Sequence, residues 1–504
     1  MSEIIKGGSG AQDPMPSTII AIVPEDTALR KNALGLSEVL FQSITAMAPA
    51  AAVATALSPA VGFAGASLPL AVLLATVACA FIAASIGQLA IHIPSAGGMY
   101  TYISQAMGAK IGFLSAWTFL LAQPLLLPLV ALVWGPYAEA LFKLLTGVDI
   151  PWYYWTILGN LLVFALTYYG IKLSADASVI LGAIEIVIIL ALSFTMIFAS
   201  GKSNTLSVFT PAYSVLGGLG GWVGIFQGMI FAFLAFVGFE TAAPLGEETH
   251  NPKRNIPRAV VYSAIGIGLL YALASYSGMI GWGISHISGY AASAAPWADL
   301  GTRYWGTVGP VIISFAILNS AIGNGNAGIN ATTRVAYAMG RIGTLPSWFA
   351  RLSKHRTPGF GIIFHTTMSL VVSIGCGLIF GATNAFGLIG TVLTLGLVLL
   401  YIASCVAAFT FYRYQRPQDF RVLQHVVVPA IPLVILLFVV IAQVYPVPPY
   451  PLNLAAPILV VWIVIGVGYM LYLMRVKPTA LERGKEVYLK DLETEPVDLA
   501  HSLL

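Results

Sequence analysis

Long apolar runs make up most of the chain, and short stretches between them hold most of the charged residues. A helix needs about 20 apolar residues to cross a bilayer, and roughly twelve runs reach that length. The runs are continuous, whereas the strands of a membrane barrel alternate over about ten residues, so the pattern predicts helices. The predicted spans lie approximately at 36–62, 66–92, 111–143, 151–170, 174–200, 220–246, 258–285, 308–340, 360–381, 384–411, 425–445 and 451–474.

Two of these predicted spans are interrupted near the middle. Span 1 contains Pro49, and a proline removes a helical hydrogen bond and clashes with the preceding turn. Span 6 contains Gly238 in "FLAFVGFE". Interrupted segments at corresponding positions of two halves indicate an inverted-repeat transporter with its site at the breaks. The predicted divisions are a transporter domain over 36–475, with repeat one at about 36–200, repeat two at about 220–411 and two extra helices at about 425–474.

A broken helix exposes backbone groups that an intact helix would satisfy internally. The freed N–H groups attract carboxylates, and the freed C=O groups attract ammonium groups or cations. Two breaks that face each other therefore match the two poles of an amino acid. Glycine and proline are common in transmembrane helices, so either break alone is equally well explained as a simple kink. Their matched positions favour a binding site.

The composition of the chain supports a membrane protein. Of 504 residues, 58% are hydrophobic and 9% are charged, and the mean hydropathy is +0.86. Soluble domains carry about a quarter charged residues, so this chain has too few to cover a water-facing surface. We predict an all-α polytopic membrane protein and no nucleic-acid binding. The three cysteines lie inside apolar runs without metal-ligand spacing, so we expect no disulfide, metal or cofactor.

Positive charge is distributed unevenly between the two sets of loops. With twelve spans and a cytoplasmic N-terminus, only Lys143, Lys202 and Arg303 lie outside, and the other 21 of the 24 basic residues lie inside. Cytoplasmic loops carry the excess of Lys and Arg. The distribution predicts a multi-pass protein of the plasma (inner) membrane with a cytoplasmic N-terminal segment, 1–35, and a cytoplasmic tail, 476–504.

Three motifs in the same order resemble those of the amino acid–polyamine–organocation permeases. They are "PSAGGMYTYISQAMGAKIGFLSAW" at 94–117, "GFETAAPLGEETHNPKRNIPRAV" from Gly238, and "RVAYAMGRIGTLP" at 334–346. The resemblance covers roughly 36–475 and implies the LeuT-type fold, with five-plus-five inverted repeats and two extra helices. It implies secondary transport of an amino acid or amine bound at spans 1 and 6. The substrate-binding residues it implies are Ile44, Thr45, Ala46, Met47, Ala48, Pro49, Ala50, Phe233, Leu234, Ala235, Phe236 and Gly238.

The chain departs from that family's pattern at both breaks. Span 1 of the family often reads Gly-Ser-Gly, where this chain aligns Ala48-Pro49-Ala50. In span 6, Leu234 stands where the family often has Trp, Phe or Tyr. The second difference predicts a pocket that is more apolar or roomier than is common in the family.

Two acids lie inside predicted spans, where an ionisable residue suggests function. Glu240 follows the break in span 6 and is interpreted either as a proton carrier or as a brace that backbone N–H groups satisfy. Glu185 lies mid-span in "ILGAIEIVIIL". By the resemblance it stands where many relatives carry a lysine implicated in proton coupling. It could be a proton carrier, a cation ligand, a partner for a cationic substrate, or simply a residue bonded to water.

Span 8 carries a polar face within "NSAIGNGNAGIN". Asn319 and Asn326 lie on or beside one helical face with Ser320, and these residues are candidates to line the pathway. The alternative is that they only hydrogen-bond neighbouring helices. Asp176 and Arg334, near inner span ends, suit a salt-bridge gate or interface anchoring.

These observations together predict a secondary active transporter in the lipid bilayer. It would import an amino acid or related amine by proton symport with alternating access. The alternatives are a polyamine or amine permease, an exchanger without net proton coupling, and, less favoured, a nutrient sensor or a channel. The chain lacks the G-x-x-x-x-G-K-[ST] pattern of a nucleotide-driven pump, and no nucleophile–base arrangement indicates an enzyme.

Overall fold

The computed structural model describes residues 29–293, 295–445 and 447–485, so most of the predicted terminal segments, 1–35 and 476–504, lie outside the described residues. Within that part of the chain the secondary structure is helical, apart from one isolated bridge between Leu34 and Thr249. Eleven described helical segments are long and apolar enough to cross a membrane. The predicted fourth span is the helix Trp152–Tyr168, whose 17 residues are near the lower limit for crossing.

The spans follow the predicted order and are numbered accordingly. A short helix, Met99–Met107, precedes span 3, and another, Pro478–Glu482, follows span 12. The bounds are Leu36–Ala56 for span 1, Ser58–His92 for span 2, Ala109–Thr146 for span 3, Trp152–Tyr168 for span 4, Ile171–Ala199 for span 5, Leu219–Leu245 for span 6, Pro252–Trp282 for span 7, Pro296–Ile342 for span 8, Gly359–Phe380 for span 9, Ala382–Gln415 for span 10, Leu423–Val444 for span 11 and Leu452–Val476 for span 12.

Helices of the first half pack against helices five positions later. Span 2 packs along span 7, span 3 along span 8 and span 4 along span 9. Small residues permit the close approach between spans 2 and 7, because a Cβ added at Gly268 would lie only 2.2 Å from Cγ2 of Thr76. This pairing is the one that an inverted repeat of five spans predicts. The residue limits of the two repeats stay a prediction.

Spans 11 and 12 pack on the outside of this arrangement, against span 10. Span 12 is fixed to span 3 by two tryptophans whose ring centroids lie 4.8 Å apart. The Trp117 indole donates to the Trp462 carbonyl at 2.9 Å, and the Trp462 indole donates to the Trp117 carbonyl at 2.7 Å. The two added helices therefore leave the interrupted spans 1 and 6 in the interior.

Candidate substrate site at the two breaks

The break in span 1 lies at Met47 and Ala48. The first half-helix, Leu36–Ala46, ends there, and Ala48 adopts the left-handed conformation with φ 47° and ψ 62°. That conformation costs a residue with a side chain about 1–2 kcal/mol. Pro49 begins the second half-helix, where its missing N–H would have no intrahelical partner. The proline thus starts a helix, and the alanine before it makes the turn.

The break in span 6 lies at Gly238. The helix Trp222–Phe236 ends before it, Gly238 has φ 123°, and a 3-10 helix, Phe239–Leu245, follows. A Cβ at this glycine would lie 2.5 Å from the carbonyl oxygen of Ala46. The two predicted breaks are therefore in direct contact with each other.

The carbonyl groups freed at the breaks are bound by side chains from spans 7 and 8. The Asn324 amide donates to the Ala46 carbonyl at 2.5 Å. The Tyr271 hydroxyl lies 2.5 Å from the Met47 carbonyl oxygen and 3.0 Å from that of Ala235. Because a hydroxyl has one proton, the two carbonyls share a single donor. Tyr271 thereby joins the break in span 1 to the break in span 6.

The N–H groups at the start of the second half-helix of span 1 are also occupied. The Ala50 N–H donates to Oε2 of Glu185 at 3.1 Å, and the Ala51 N–H donates to Oγ of Ser320 at 3.1 Å. Glu185 is fully buried, and its Oε1 has no hydrogen-bond partner among the described residues. The helix end that was expected to attract a substrate carboxylate therefore holds a carboxylate of the protein itself.

Glu240 is bound to the other break. Its Oε2 accepts the Gly238 N–H at 3.2 Å and the Tyr401 hydroxyl at 2.8 Å. The ring of Tyr401 stacks on Phe239 with centroids 5.1 Å apart. Glu240 is buried, and its Oε1 also has no partner in the part of the chain that the structure describes. Each of the two predicted acids thus contacts one break.

A small cavity, partly open to solvent, lies beside the two breaks. It is lined mainly by small and aliphatic side chains. Among the described residues, polar side chains contribute only through Thr55 and Asn324, and no charged side chain lines it. The lining residues are Met47, Ala48, Ala51, Ala52, Thr55 and Ala56 of span 1, Leu126, Leu129, Val130 and Val133 of span 3, Leu234, Ala235 and Val237 of span 6, Asn324 of span 8, and Phe386 of span 10.

Four of the predicted substrate-binding residues line this cavity, namely Met47, Ala48, Leu234 and Ala235. The other predicted residues are buried at the breaks without reaching it. Those residues are Ile44, Thr45, Ala46, Pro49, Ala50, Phe233, Phe236 and Gly238.

The lining residues of spans 3 and 10 were not predicted. Leu126 and Phe386 belong to ordinary apolar runs, so periodicity gave no signal for either. In span 3, Pro124 was the available clue, because it lies in the 3-10 turn Gln123–Leu125 just before the lining residues.

The family model described as amino acid permease matches residues 34–470. The chain belongs to this family. The family and its relatives make it a multi-span membrane transporter of amino acids or amines, and the family is one of transporters rather than enzymes.

Individual relatives differ in what their names say they carry. The branched-chain amino acid permease BcaP of Bacillus subtilis is 24% identical over 449 residues, which cover 81% of this chain and 86% of that protein. The low-affinity putrescine importer PlaP of Escherichia coli is 28% identical over 315 residues, covering 60% of this chain and 66% of PlaP. A solved mutant manganese transporter of Eremococcus coleocola shares the fold, with a TM-score of 0.56, 14% identity, and coverage of 88% of this chain and 95% of that one.

In this amino acid permease, the polar face of span 8 is used mainly for packing. The Asn319 amide donates to the Leu181 carbonyl at 2.7 Å, and the Asn326 amide donates to the Ser174 carbonyl at 2.8 Å. Both bonds attach span 8 to span 5, while Ser320 caps span 1. None of these three predicted pathway residues lines the described cavity.

Ion pairs gather on the side of the permease that carries the described chain ends. Arg334 and Glu248 are fully buried, and Arg334 also donates to the Asn330 side chain at 3.1 Å. Oε1 of Glu247 accepts the Ala96 N–H at 3.1 Å, which joins the end of span 6 to the loop before span 3. The ion pairs are Arg334–Glu248 at 2.6 Å, Arg341–Glu247 at 2.7 Å, Lys172–Glu38 at 2.5 Å and Lys172–Asp176 at 2.8 Å.

Proposed function

We propose that this permease imports an amino acid with an aliphatic side chain, by proton symport with alternating access. The observation that carries the proposal is the cavity beside the two breaks. Its walls are aliphatic, so they favour an apolar side chain by removing its surface from water. Thr55, Asn324 and the irregular backbone at Met47 and Ala48 supply the polar groups that could orient the amino and carboxylate ends.

The same cavity argues against a cationic substrate such as a polyamine. A buried cation needs a carboxylate close by, because an unpaired charge is costly in an apolar site. Glu185 and Glu240 do not line the cavity, and each is already bonded to a break. Similarity to BcaP, whose name gives branched-chain amino acids, also extends over more of the chain than similarity to PlaP.

Proton coupling is proposed from the two buried acids. Glu185 and Glu240 each have one oxygen without a partner among the described residues, and neither forms an ion pair there. An ionised carboxylate that lost its present donors would be costly in such surroundings, so binding of a proton is then the available way to remove the charge. Because each acid holds a break, its protonation would alter the contacts that position the broken helices.

Alternating access is proposed from the asymmetry of the permease across the breaks. The cavity is lined by residues of span 1 that follow its break and by residues of span 6 that precede its break. The ion pairs lie beyond the other ends of these spans. We therefore propose an outward-facing state, with both termini in the cytoplasm and the ion pairs closing the inner side.

Uptake of radiolabelled leucine into proteoliposomes tests this proposal. We expect uptake to rise when the outside is acidified and to fall when an uncoupler removes the gradient. We expect isoleucine and valine to compete, and putrescine not to. Competition by putrescine alone would indicate an amine permease, and uptake that needs internal amino acid but ignores the uncoupler would indicate an exchanger. Conductance without substrate would indicate a channel, and binding without uptake would indicate a sensor.

A cavity-filling variant makes the same experiment specific to the site. We expect Leu234→Trp to raise the KM for leucine at least tenfold and to affect glycine less, because the larger ring occupies space that the leucine side chain needs. Leu437→Trp is the matched control, since Leu437 is 55% exposed on span 11 and does not line the cavity. Equal effects of the two substitutions would contradict the assignment of the cavity.

A further inference from the structure

The second half of span 1 begins with an unusual arrangement of backbone donors. Pro49 has no N–H, the Ala50 N–H donates to Glu185, and the Ala51 N–H donates to Ser320. Residues 49–56 form eight consecutive helical residues, so this end carries the partial positive charge of a helix N-terminus. In the described chain Glu185 contacts no cation, and the Ala50 N–H and the neighbouring Ser320 hydroxyl are the donors that stabilise its carboxylate.

The same helix end lies next to the cavity. Ala48 and Ala51, which flank the Ala50 N–H along the chain, both line it. A carboxylate that entered with a substrate would therefore meet a helix end that Glu185 already occupies. One N–H group donates one strong hydrogen bond, and two adjacent carboxylates repel each other when both are ionised. The substrate carboxylate and the Glu185 carboxylate therefore compete for one position.

A Glu185 carboxylate that leaves this position finds no other partner for its charge among the described residues. Span 7 presents the Tyr271 hydroxyl to it, but that hydroxyl already contacts two carbonyl groups. Span 8 presents the uncharged Ser320 hydroxyl, and span 1 presents the Ala50 N–H that Glu185 has left. Span 4, which also packs on span 5, contains no Asp, Glu, His, Lys or Arg. Protonation is therefore the way for a displaced Glu185 to stay buried.

We infer that Glu185 occupies the site of the substrate's own carboxylate and exchanges with it, so that one proton is bound for each amino acid bound. The substrate carboxylate accepts the hydrogen bond of the Ala50 N–H in place of Glu185. The displaced Glu185 carboxylate then takes one proton from water that enters through the cavity. A carboxylate becomes a carboxylic acid, and no other bond changes. This inference rests on the proposed function, because it requires an amino acid substrate. An amine without a carboxylate leaves Glu185 ionised and in place.

Proton uptake on substrate binding tests this exchange in the purified full-length permease. The protein is held in weakly buffered detergent solution with a pH-indicator dye, and leucine or 3-methylbutylamine, which is leucine without its carboxylate, is added. Thermal shift measures binding of each compound in parallel. We expect about one proton taken up per leucine bound, and none on addition of the amine. The Glu185→Gln variant should still bind leucine and take up no proton.

Two further variants separate this role of Glu185 from a structural one. Ser193→Ala is a control on the same span as Glu185. Ser193 is buried and its hydroxyl bonds to no described residue, so proton uptake on leucine binding should persist. The Glu240→Gln variant reports whether the second buried acid takes the proton. Loss of proton uptake in Glu240→Gln, together with normal proton uptake in Glu185→Gln, would overturn the inference. Leucine binding to the wild type without proton uptake would also overturn it and leave the proposed function intact. Failure of every amino acid to bind would refute both.

Discussion

The Tyr271 side chain contacts both broken helices through a single atom. Its hydroxyl reaches the Met47 carbonyl of span 1 and the Ala235 carbonyl of span 6, and its ring packs edge-on against Phe236 with centroids 5.4 Å apart. The side chain is fully buried. A change in the position of either break therefore requires this hydroxyl to release or exchange a partner.

Tyr271→Phe removes that link and keeps the ring. We expect a lower melting temperature, because a buried carbonyl left without its donor costs about 1–3 kcal/mol. We also expect a higher KM for leucine, since the breaks lose the contact that fixes their relative position. Tyr262→Phe is the matched control, because Tyr262 lies on the same span and is 43% exposed. Melting temperatures and KM values equal to those of the control would contradict this role.

At the scale of helices, the contact between the breaks depends on the absence of a side chain at Gly238. The glycine has φ 123°, and its Cα faces the Ala46 carbonyl so closely that a Cβ would lie 2.5 Å from the oxygen. The broken part of span 6 therefore lies directly on the end of the first half of span 1. The two half-helices must move together or separate completely.

Gly238→Ala should separate them. An alanine there is strained by its φ value and clashes with backbone rather than with a flexible side chain, so the breaks cannot keep their contact. We expect leucine transport to fall at least tenfold, measured as initial uptake by proteoliposomes that contain equal amounts of protein. Gly266→Ala is the control, because a Cβ at Gly266 would meet nothing within 4 Å. Transport by Gly238→Ala at the control rate would show that the contact is dispensable.

The elements of this site differed in how far the sequence predicted them. Pro49 and Gly238 identified both interrupted spans, because proline and glycine carry an intrinsic backbone signal. Ala48 adopts the left-handed turn although alanine has no such preference, so tertiary contacts impose it. Tyr271 was missed because an aromatic residue in an apolar span usually only packs. Phe386 was missed because its place at the cavity depends on packing between distant spans.

At the scale of the whole molecule, buried ion pairs lie on one side of the breaks and the apolar cavity lies on the other. Arg334 and Glu248 are both fully buried, so neither charge has water to stabilise it if the other is removed. Burial raises the pKa of the Glu248 carboxyl, and the Arg334 guanidinium opposes that change. The Arg334–Glu248 pair therefore stabilises this side of the permease only while both partners are present.

Arg334→Met should destabilise this side by about 3–5 kcal/mol at neutral pH, because Glu248 is left as an unpaired buried charge. The loss in melting temperature should shrink as the pH falls, since a protonated Glu248 has no charge to leave unpaired. Adding Glu248→Gln to Arg334→Met should recover part of the loss. Lys143→Gln, in a pair whose side chains are more than half exposed, should change the melting temperature little. A pH-independent loss would contradict this account.

Span 3 lines the cavity, whereas the described side-chain hydrogen bonds to the breaks come from other spans. Backbone atoms at the breaks are bound by the side chains of Tyr271 in span 7, Glu185 in span 5 and Ser320 in span 8. Leu129 and Val133 of span 3 instead line the cavity. Substitutions at a few aliphatic positions of span 3 can therefore change which substrate the permease takes up without altering the contacts that hold the breaks. Substrate preference in such a protein should change through few substitutions. A library of variants confined to the cavity-lining residues of span 3 is where a new preference should first emerge.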